Sequence, residues 1–141
     1  QDPSGATILP TYFQWMTGTS RVNVDFAAST FTTNLTGTII GNPAFDYHSS
    51  PLATVLQTGA SFTAAGSGTI NMVNFGGFKG QFSSASFQNP AGTARTVTIA
   101  GSSIDGAFYG PNGEEVGAGF RIVGGNPDER IDILGAFTGK K

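Results

Sequence analysis

Apolar and polar residues alternate along most of this chain, and this pattern constrains the fold more than any other feature. Val22, Val24 and Phe26, for example, are separated by single polar residues. Successive side chains of a β-strand point to opposite faces of a sheet, so a period of two predicts strands with one buried face. The pattern predicts seven further strands, spanning residues 31–39, 62–72, 78–87, 97–99, 104–108, 116–122 and 131–137.

The connections between these strands are mostly short and contain turn-forming residues, as at Asn89–Gly92 and Gly124–Pro127. A meander of eight strands has two unpaired edges unless it closes on itself. We therefore expect an all-β fold, a single eight-stranded antiparallel up-and-down β-barrel whose first strand lies beside the last. A β-sandwich is the alternative architecture. The rings expected in the barrel interior are those of Phe26, Phe108, Phe120 and Phe137.

Three Gly-x-Phe sequences suggest how the interior is filled, namely Gly80–Phe82, Gly106–Phe108 and Gly135–Phe137. Residues two apart in a strand share a face, so each sequence places a position without a side chain beside a large ring. Alternation of small and large residues suits the tapering interior of a narrow barrel. The alternation changes phase between Phe82 and Phe87, which predicts a β-bulge near Ser83 and Ser84.

Two segments depart from the alternation and divide the chain. Residues 1–20 are interpreted as an N-terminal extension that precedes the barrel domain at residues 21–141. Residues 43–59 form a long excursion, which we expect to leave the barrel wall and flank one mouth of the barrel. Ser50 followed by Pro51 predicts a short helix within this loop. Long loops in compact domains are often functional.

Composition and charge exclude several classes of function. The chain has no cysteine, a net charge of −2 and no apolar run long enough for a transmembrane helix. Nucleic-acid binding would require a basic surface. The carboxylates form no catalytic pair, no nucleophile motif is present, and metal-ligand clusters are missing from the sequence. We therefore expect a protein that is not an enzyme.

The stretch Asp105–Ile122 predicts a β-hairpin closed by a turn at Gly110–Gly113. It contains Gly-Ala-Phe-Tyr-Gly-Pro-Asn-Gly-Glu-Glu-Val-Gly-Ala-Gly-Phe, and it resembles the signature of transferrin-binding protein B-like β-barrels. The final Gly135-Ala-Phe137 resembles the closing strand of the same family. Gly113 stands where alanine is usual in the family, and Ala118 where glycine is usual. The signature positions are Gly106, Phe108, Tyr109, Gly110, Pro111, Glu114, Glu115, Phe120, Gly135 and Phe137.

The resemblance implies an exported bacterial protein, at the cell surface or secreted, without enzymatic activity. Family members include surface lipoproteins of the outer membrane and secreted haem-binding relatives. The expected role is therefore haem or iron acquisition or contact with a host protein, with an outer-membrane receptor as an additional partner. The alternative is a structural accessory barrel that belongs to a larger surface protein or serves as an export module.

The matched motifs contain no binding residue, so candidates for ligand contact come from aromatic side chains outside the barrel pattern. They are Phe45, Tyr47 and His48 in the long loop, and Tyr12, Phe13 and Trp15 ahead of the first predicted strand. A competing interpretation is that Trp15 and its neighbours plug the open end of the barrel. His48, the single histidine, is the candidate haem ligand; a surface histidine without a ligand is the alternative. No other cofactor and no metal is expected.

Overall fold

The computed structural model describes residues 12–45, 58–71, 77–92, 94–109, 115–126 and 129–140. Within these ranges the fold is all-β, as predicted, and no helix is found. The short helix predicted from Ser50 lies outside the described residues. The strands are β1 (Tyr12–Asp25), β2 (Thr30–Phe45), β3 (Ser61–Asn71), β4 (Gly77–Gln88), β5 (Ala94–Thr96), β6 (Thr98–Tyr109), β7 (Glu115–Asn126) and β8 (Glu129–Lys140).

The strands follow one another around a single sheet in the order β1-β2-β3-β4-β6-β7-β8, and every pair is antiparallel. The short β5 pairs with the end of β4. Asn89–Gly92 forms the predicted turn after β4. There Gly92 has a positive φ of 94° and donates its N–H to the carbonyl of Asn89 at 2.8 Å.

Several strand boundaries differ from the prediction. β1 begins at Tyr12, ten residues before Val22, and β2 continues to Phe45, so residues 43–45 belong to a strand and not to the excursion. Residues 98–99 and 104–108, predicted in two separate strands, belong to one strand, β6, and Val97 lies between β5 and β6. Their alternation is broken because the register with β7 shifts between Ile99 and Gly101, which is a bulge and not a turn.

The predicted closure is only partly present, and the barrel is nearly closed. Seven long strands alternate in direction around the sheet, so β1 and β8 run in the same direction and cannot form an antiparallel ladder. In the described residues no ladder joins them. The Ser20 hydroxyl instead donates a hydrogen bond to the backbone carbonyl of Thr138 at 3.1 Å.

The interior is built from phenylalanine rings that face glycines on neighbouring strands. Four cross-strand partners share this pattern: Phe31 with Gly68, Phe82 with Gly66, Phe78 with Gly106, and Phe120 with Gly135. A Cβ atom at Gly135 would lie 2.7 Å from the Phe120 ring. The sequence predicted small residues beside large rings within one strand. In the structure, these glycines make room for a ring on the adjacent strand.

Among the described residues, ring contacts form three groups. Phe78 lies between Phe31 and Phe108, with ring centroids 4.9 and 5.3 Å apart. Further pairs are Phe82 with Phe120, Phe120 with Phe137, and Phe62 with Phe87. Phe137 is buried, and Phe108 and Phe120 are partly buried against the core, so these three lie inside as predicted.

Phe26 does not lie in the interior, contrary to the prediction. β1 ends at Asp25, and Phe26 falls in the turn that leads to β2, where its side chain is 49% exposed. The Asp25 carboxylate accepts the N–H of Ala28 at 3.0 Å and fixes this turn. The Phe26 ring covers Phe108 from the rim, with centroids 5.8 Å apart.

The predicted bulge is confirmed in β4 and is accompanied by an opening in the ladder to β6. Ala65 pairs with Ser84 and Gly66 with Phe82, so Ser83 is the additional residue. The ladder between β4 and β6 covers Gly77–Gly80 and then stops. Beyond it, the Ser102 hydroxyl accepts the N–H of Phe82 at 2.8 Å.

Replacing Ser102 by alanine is expected to lower the free energy of unfolding by about 1–3 kcal/mol, because the N–H of Phe82 would lose its acceptor. Ser103→Ala is the matched control, since the neighbouring serine is exposed. Urea unfolding followed by circular dichroism measures both variants. Equal stability of the two variants would show that the Phe82 N–H does not depend on Ser102.

Candidate binding surface

β1 and β2 form a two-stranded ribbon that extends past the start of β3. The ladder between β2 and β3 ends where Thr38 pairs with Ser61. Ile39 then exchanges backbone hydrogen bonds with Gly59 and Ala60 at 2.9 and 2.8 Å. β1 and β2 remain paired as far as Tyr12 and Phe45. We call residues 12–16 and 39–45 the ribbon.

The ribbon is irregular at one point. Phe13 pairs with Ala44 and Trp15 with Ile40, so one residue of β1 faces three residues of β2 between these pairs. Pro43 is one of those three residues. Proline has no backbone N–H to donate, which explains why the ladder is interrupted there.

The ribbon brings together four of the six candidate binding residues. Tyr12, Phe13 and Trp15 lie on β1, and Phe45 is the last residue of β2, directly opposite Tyr12. Phe45 is therefore a strand residue and not part of a loop. Tyr47 and His48 lie outside the described residues. Two groups of aromatic residues that are about 30 positions apart in the sequence thus share one element of structure.

Trp15 faces solvent. Its side chain is 68% exposed, and that of its cross-strand partner Ile40 is 47% exposed. The interpretation of Trp15 as a plug of the barrel is therefore wrong. Ile40 was missed by the sequence prediction, although Ile39 and Ile40 are adjacent and one of them had to face outward.

The wall next to this apolar pair is neutral and rich in hydroxyl groups. Outward-facing partners continue from Trp15 and Ile40 to Thr17 with Thr38 and Thr19 with Thr36. The hydroxyls of Thr19 and Thr36 are hydrogen-bonded at 2.8 Å. An exposed tryptophan beside neutral polar side chains is the composition expected for a protein contact with a polar rim.

The family-signature residues that the structure describes have packing roles. Gly106 and Gly135 face the rings of Phe78 and Phe120, and Phe108 points toward the core. Tyr109 lies outside, with its ring 3.2 Å from the position of a Cβ at Gly117. Glu115 begins β7 and is the register partner of Tyr109. Gly110, Pro111 and Glu114 lie outside the described residues.

Other surface features offer less to a ligand. Leu134 is 72% exposed on β8, and a shallow groove of about 560 Å³ on β6–β8 is floored mainly by glycine and alanine.

Asp132 accepts two hydrogen bonds from the Arg121 guanidinium, at 2.7 and 3.1 Å. These bonds and the carboxylate charge raise the pKa of Arg121 above its usual value. In the described part of the chain, no three histidine, cysteine or acidic residues cluster as metal ligands.

Comparison with known proteins decides the family. A family model described as the C-lobe and N-lobe β-barrels of Tf-binding protein B matches residues 10–141. The chain belongs to this family. Neither the curated proteins nor the solved structures compared with it gave a match.

Membership in the family bears on two expectations, the absence of enzymatic activity and the location of the protein. Transferrin-binding protein B barrels are binding domains without enzymatic activity, so this chain is not an enzyme. Proteins of the family are surface-exposed bacterial lipoproteins. The residues described by the structure contain no helix with the length and apolarity needed to cross a bilayer.

Proposed function

We propose that this chain is an exported bacterial binding domain that contacts a host protein through the ribbon. Its role is iron acquisition. The observation that carries the proposal is the exposed pair of Trp15 and Ile40 on the outer face of β1 and β2. Family membership supports a binding role and relates it to transferrin binding.

The packing of the barrel favours a protein partner over haem held in the interior. Phe31, Phe78 and Phe82 are each at most 6% exposed, and each contacts at least one other ring in the interior. A haem group inside would have to displace these rings. Haem ligation by His48 stays a prediction, because that residue lies outside the described ranges.

The ribbon also has the features of an interaction hot spot. Tryptophan contributes large contact area at low conformational cost, and its indole N–H retains a polar contact. β-strand pairing holds Trp15 in place before any partner arrives, which reduces the entropy lost on binding. Thr17 and Thr38 supply neutral hydrogen-bonding groups beside it.

Replacing Trp15 by alanine is expected to weaken binding to the host protein by about thirtyfold or more, the effect of a hot-spot residue worth at least about 2 kcal/mol. Stability should hardly change, because the side chain is already exposed. Surface plasmon resonance with immobilised iron-loaded transferrin and, separately, haemoglobin measures the affinity.

Leu134→Ala is the matched control, since it removes an equally exposed apolar side chain from a strand outside the ribbon. We expect this variant to bind like the wild type. Equal losses in both variants would place the contact elsewhere. Failure of the wild type to bind either protein would favour the accessory-barrel alternative.

A further inference from the structure

The seam between β1 and β8 differs from every other junction between neighbouring long strands. Each of the other junctions has an antiparallel ladder, whereas no ladder joins β1 and β8 in the described ranges. The hydrogen bond between Ser20 and Thr138 is donated by a side-chain hydroxyl, whereas a bond of a β-ladder is donated by a backbone N–H. Among the described residues, the outer edges of β1 and β8 therefore have no partner strand in a ladder.

Burial is also incomplete along this seam. The inward-facing side chains of β2, namely Phe31, Thr33, Leu35 and Ile39, are all buried. The corresponding side chains of β1, namely Met16, Ser20, Val22 and Val24, are only half-buried, although the three apolar ones pack against the core. Solvent thus reaches the core on the β1 side, where one more strand would exclude it.

The central parts of the two edges carry neither proline nor charge. Neither β1 nor β8 contains proline, and their charged residues lie outside Tyr12–Ser20 and Ile133–Gly139, namely Arg21 and Asp25 on β1 and Glu129, Arg130, Asp132 and Lys140 on β8. Proline and charge are common means of blocking an exposed edge. These edges are thus compatible with pairing to another strand.

We propose that the seam accepts one extended polypeptide segment from a partner protein, antiparallel to both β1 and β8. With seven long strands, only an inserted strand of this direction restores the alternation, and it would bring the number of long strands to eight. The segment would be neutral and would alternate in hydrophobicity, so that its apolar face covers Met16, Val22 and Val24. Insertion requires β1 and β8 to lie about twice the 4.8 Å spacing of paired strands apart, and it replaces the Ser20–Thr138 hydrogen bond.

Backbone amide exchange measured by NMR on the full chain tests the proposal. In the free chain, amides of β1 that point away from β2 should exchange rapidly, while the intervening amides are protected. The probe is a synthetic peptide with the sequence of residues 115–126, which alternates in hydrophobicity and pairs antiparallel with β8 within the chain. At saturation it should slow exchange of the seam amides by about tenfold or more. The same peptide with Gly119→Pro is the control.

A disulfide across the seam provides a second test. Ser20→Cys with Gly139→Cys places cysteines next to the hydrogen bond between Ser20 and Thr138, in a chain without other cysteines. The oxidised variant should lose the peptide-induced protection, and the reduced variant should keep it. Equal protection in both forms would overturn the proposal.

Three further results would contradict insertion of a partner strand. Seam amides already protected in the dilute free chain would show that the seam is paired within the molecule. Protection that grows with the concentration of the chain alone would identify a second copy as the occupant. A peptide that protects no seam amide would show that the edges do not accept an added strand.

Discussion

Replacing Phe78 by alanine is expected to lower the free energy of unfolding by about 3–5 kcal/mol, the usual cost of removing a buried aromatic ring. The side chain is 2% exposed, and its ring contacts those of Phe31 and Phe108. It links rings of β2 and β6 to β4, so its removal would leave a cavity that neighbouring rings cannot easily fill. Urea unfolding monitored by far-UV circular dichroism gives the value.

The control for Phe78→Ala is Leu134→Ala, because Leu134 is 72% exposed. Its free energy of unfolding should stay within about 0.5 kcal/mol of the wild type. Equal stability of the Phe78 and Leu134 variants would contradict the placement of Phe78 in the core.

Replacing Gly106 by alanine is expected to cost about 1–3 kcal/mol, the range for inserting a methyl group into a filled core. The new Cβ would press against Cζ of Phe78 and lie 2.7 Å from both Cε atoms, and a ring held among other rings has little room to move. Gly101→Ala in the same strand is the matched control. No atom outside its immediate chain neighbours lies within 4 Å of the Cβ position there.

The control variant should be as stable as the wild type or more stable by up to about 1 kcal/mol, since alanine suits a strand better than glycine. Combining Gly106→Ala with Phe78→Leu should recover part of the stability that the two single changes lose together. Strict additivity of the two changes would show that Gly106 and Phe78 are not in contact.

Alternation of side chains was sufficient to predict the all-β fold, most strands and the bulge at Ser83. The alternation was insufficient to predict how the barrel closes, because a bulge and a turn interrupt it in the same way. Residues 97–99 and 104–108 were predicted as separate strands, whereas β6 passes through the stretch between Ile99 and Ile104 with a bulge. One strand was therefore predicted as two, while the short β5 was not predicted. The total of eight strands is correct, but the prediction did not show that β1 and β8 run in the same direction.

The candidate binding residues could be predicted only in part. Trp15 was selected because it is a large aromatic residue outside the recognised strands, yet it lies in β1. Pairing between Tyr12 and Phe45 depends on the register of two distant segments, and no local pattern encodes it. Phe26 continues the alternation of Val22 and Val24 and was therefore expected to point inward. It lies one residue beyond the end of β1, where the alternation no longer determines the direction of a side chain.

The central claim is that the barrel interior is filled by side chains, so that ligands bind to the outer surface. A haem titration followed by methyl NMR tests this claim most directly. Ile104 and Ile122 are at most 1% exposed, and their methyl groups report on the interior. We expect these signals to stay unchanged as haem is added, while binding of the host protein shifts the signals of the exposed Ile40. Saturable shifts at Ile104 and Ile122, together with a Soret change, would show that the interior accepts a ligand and would contradict this account.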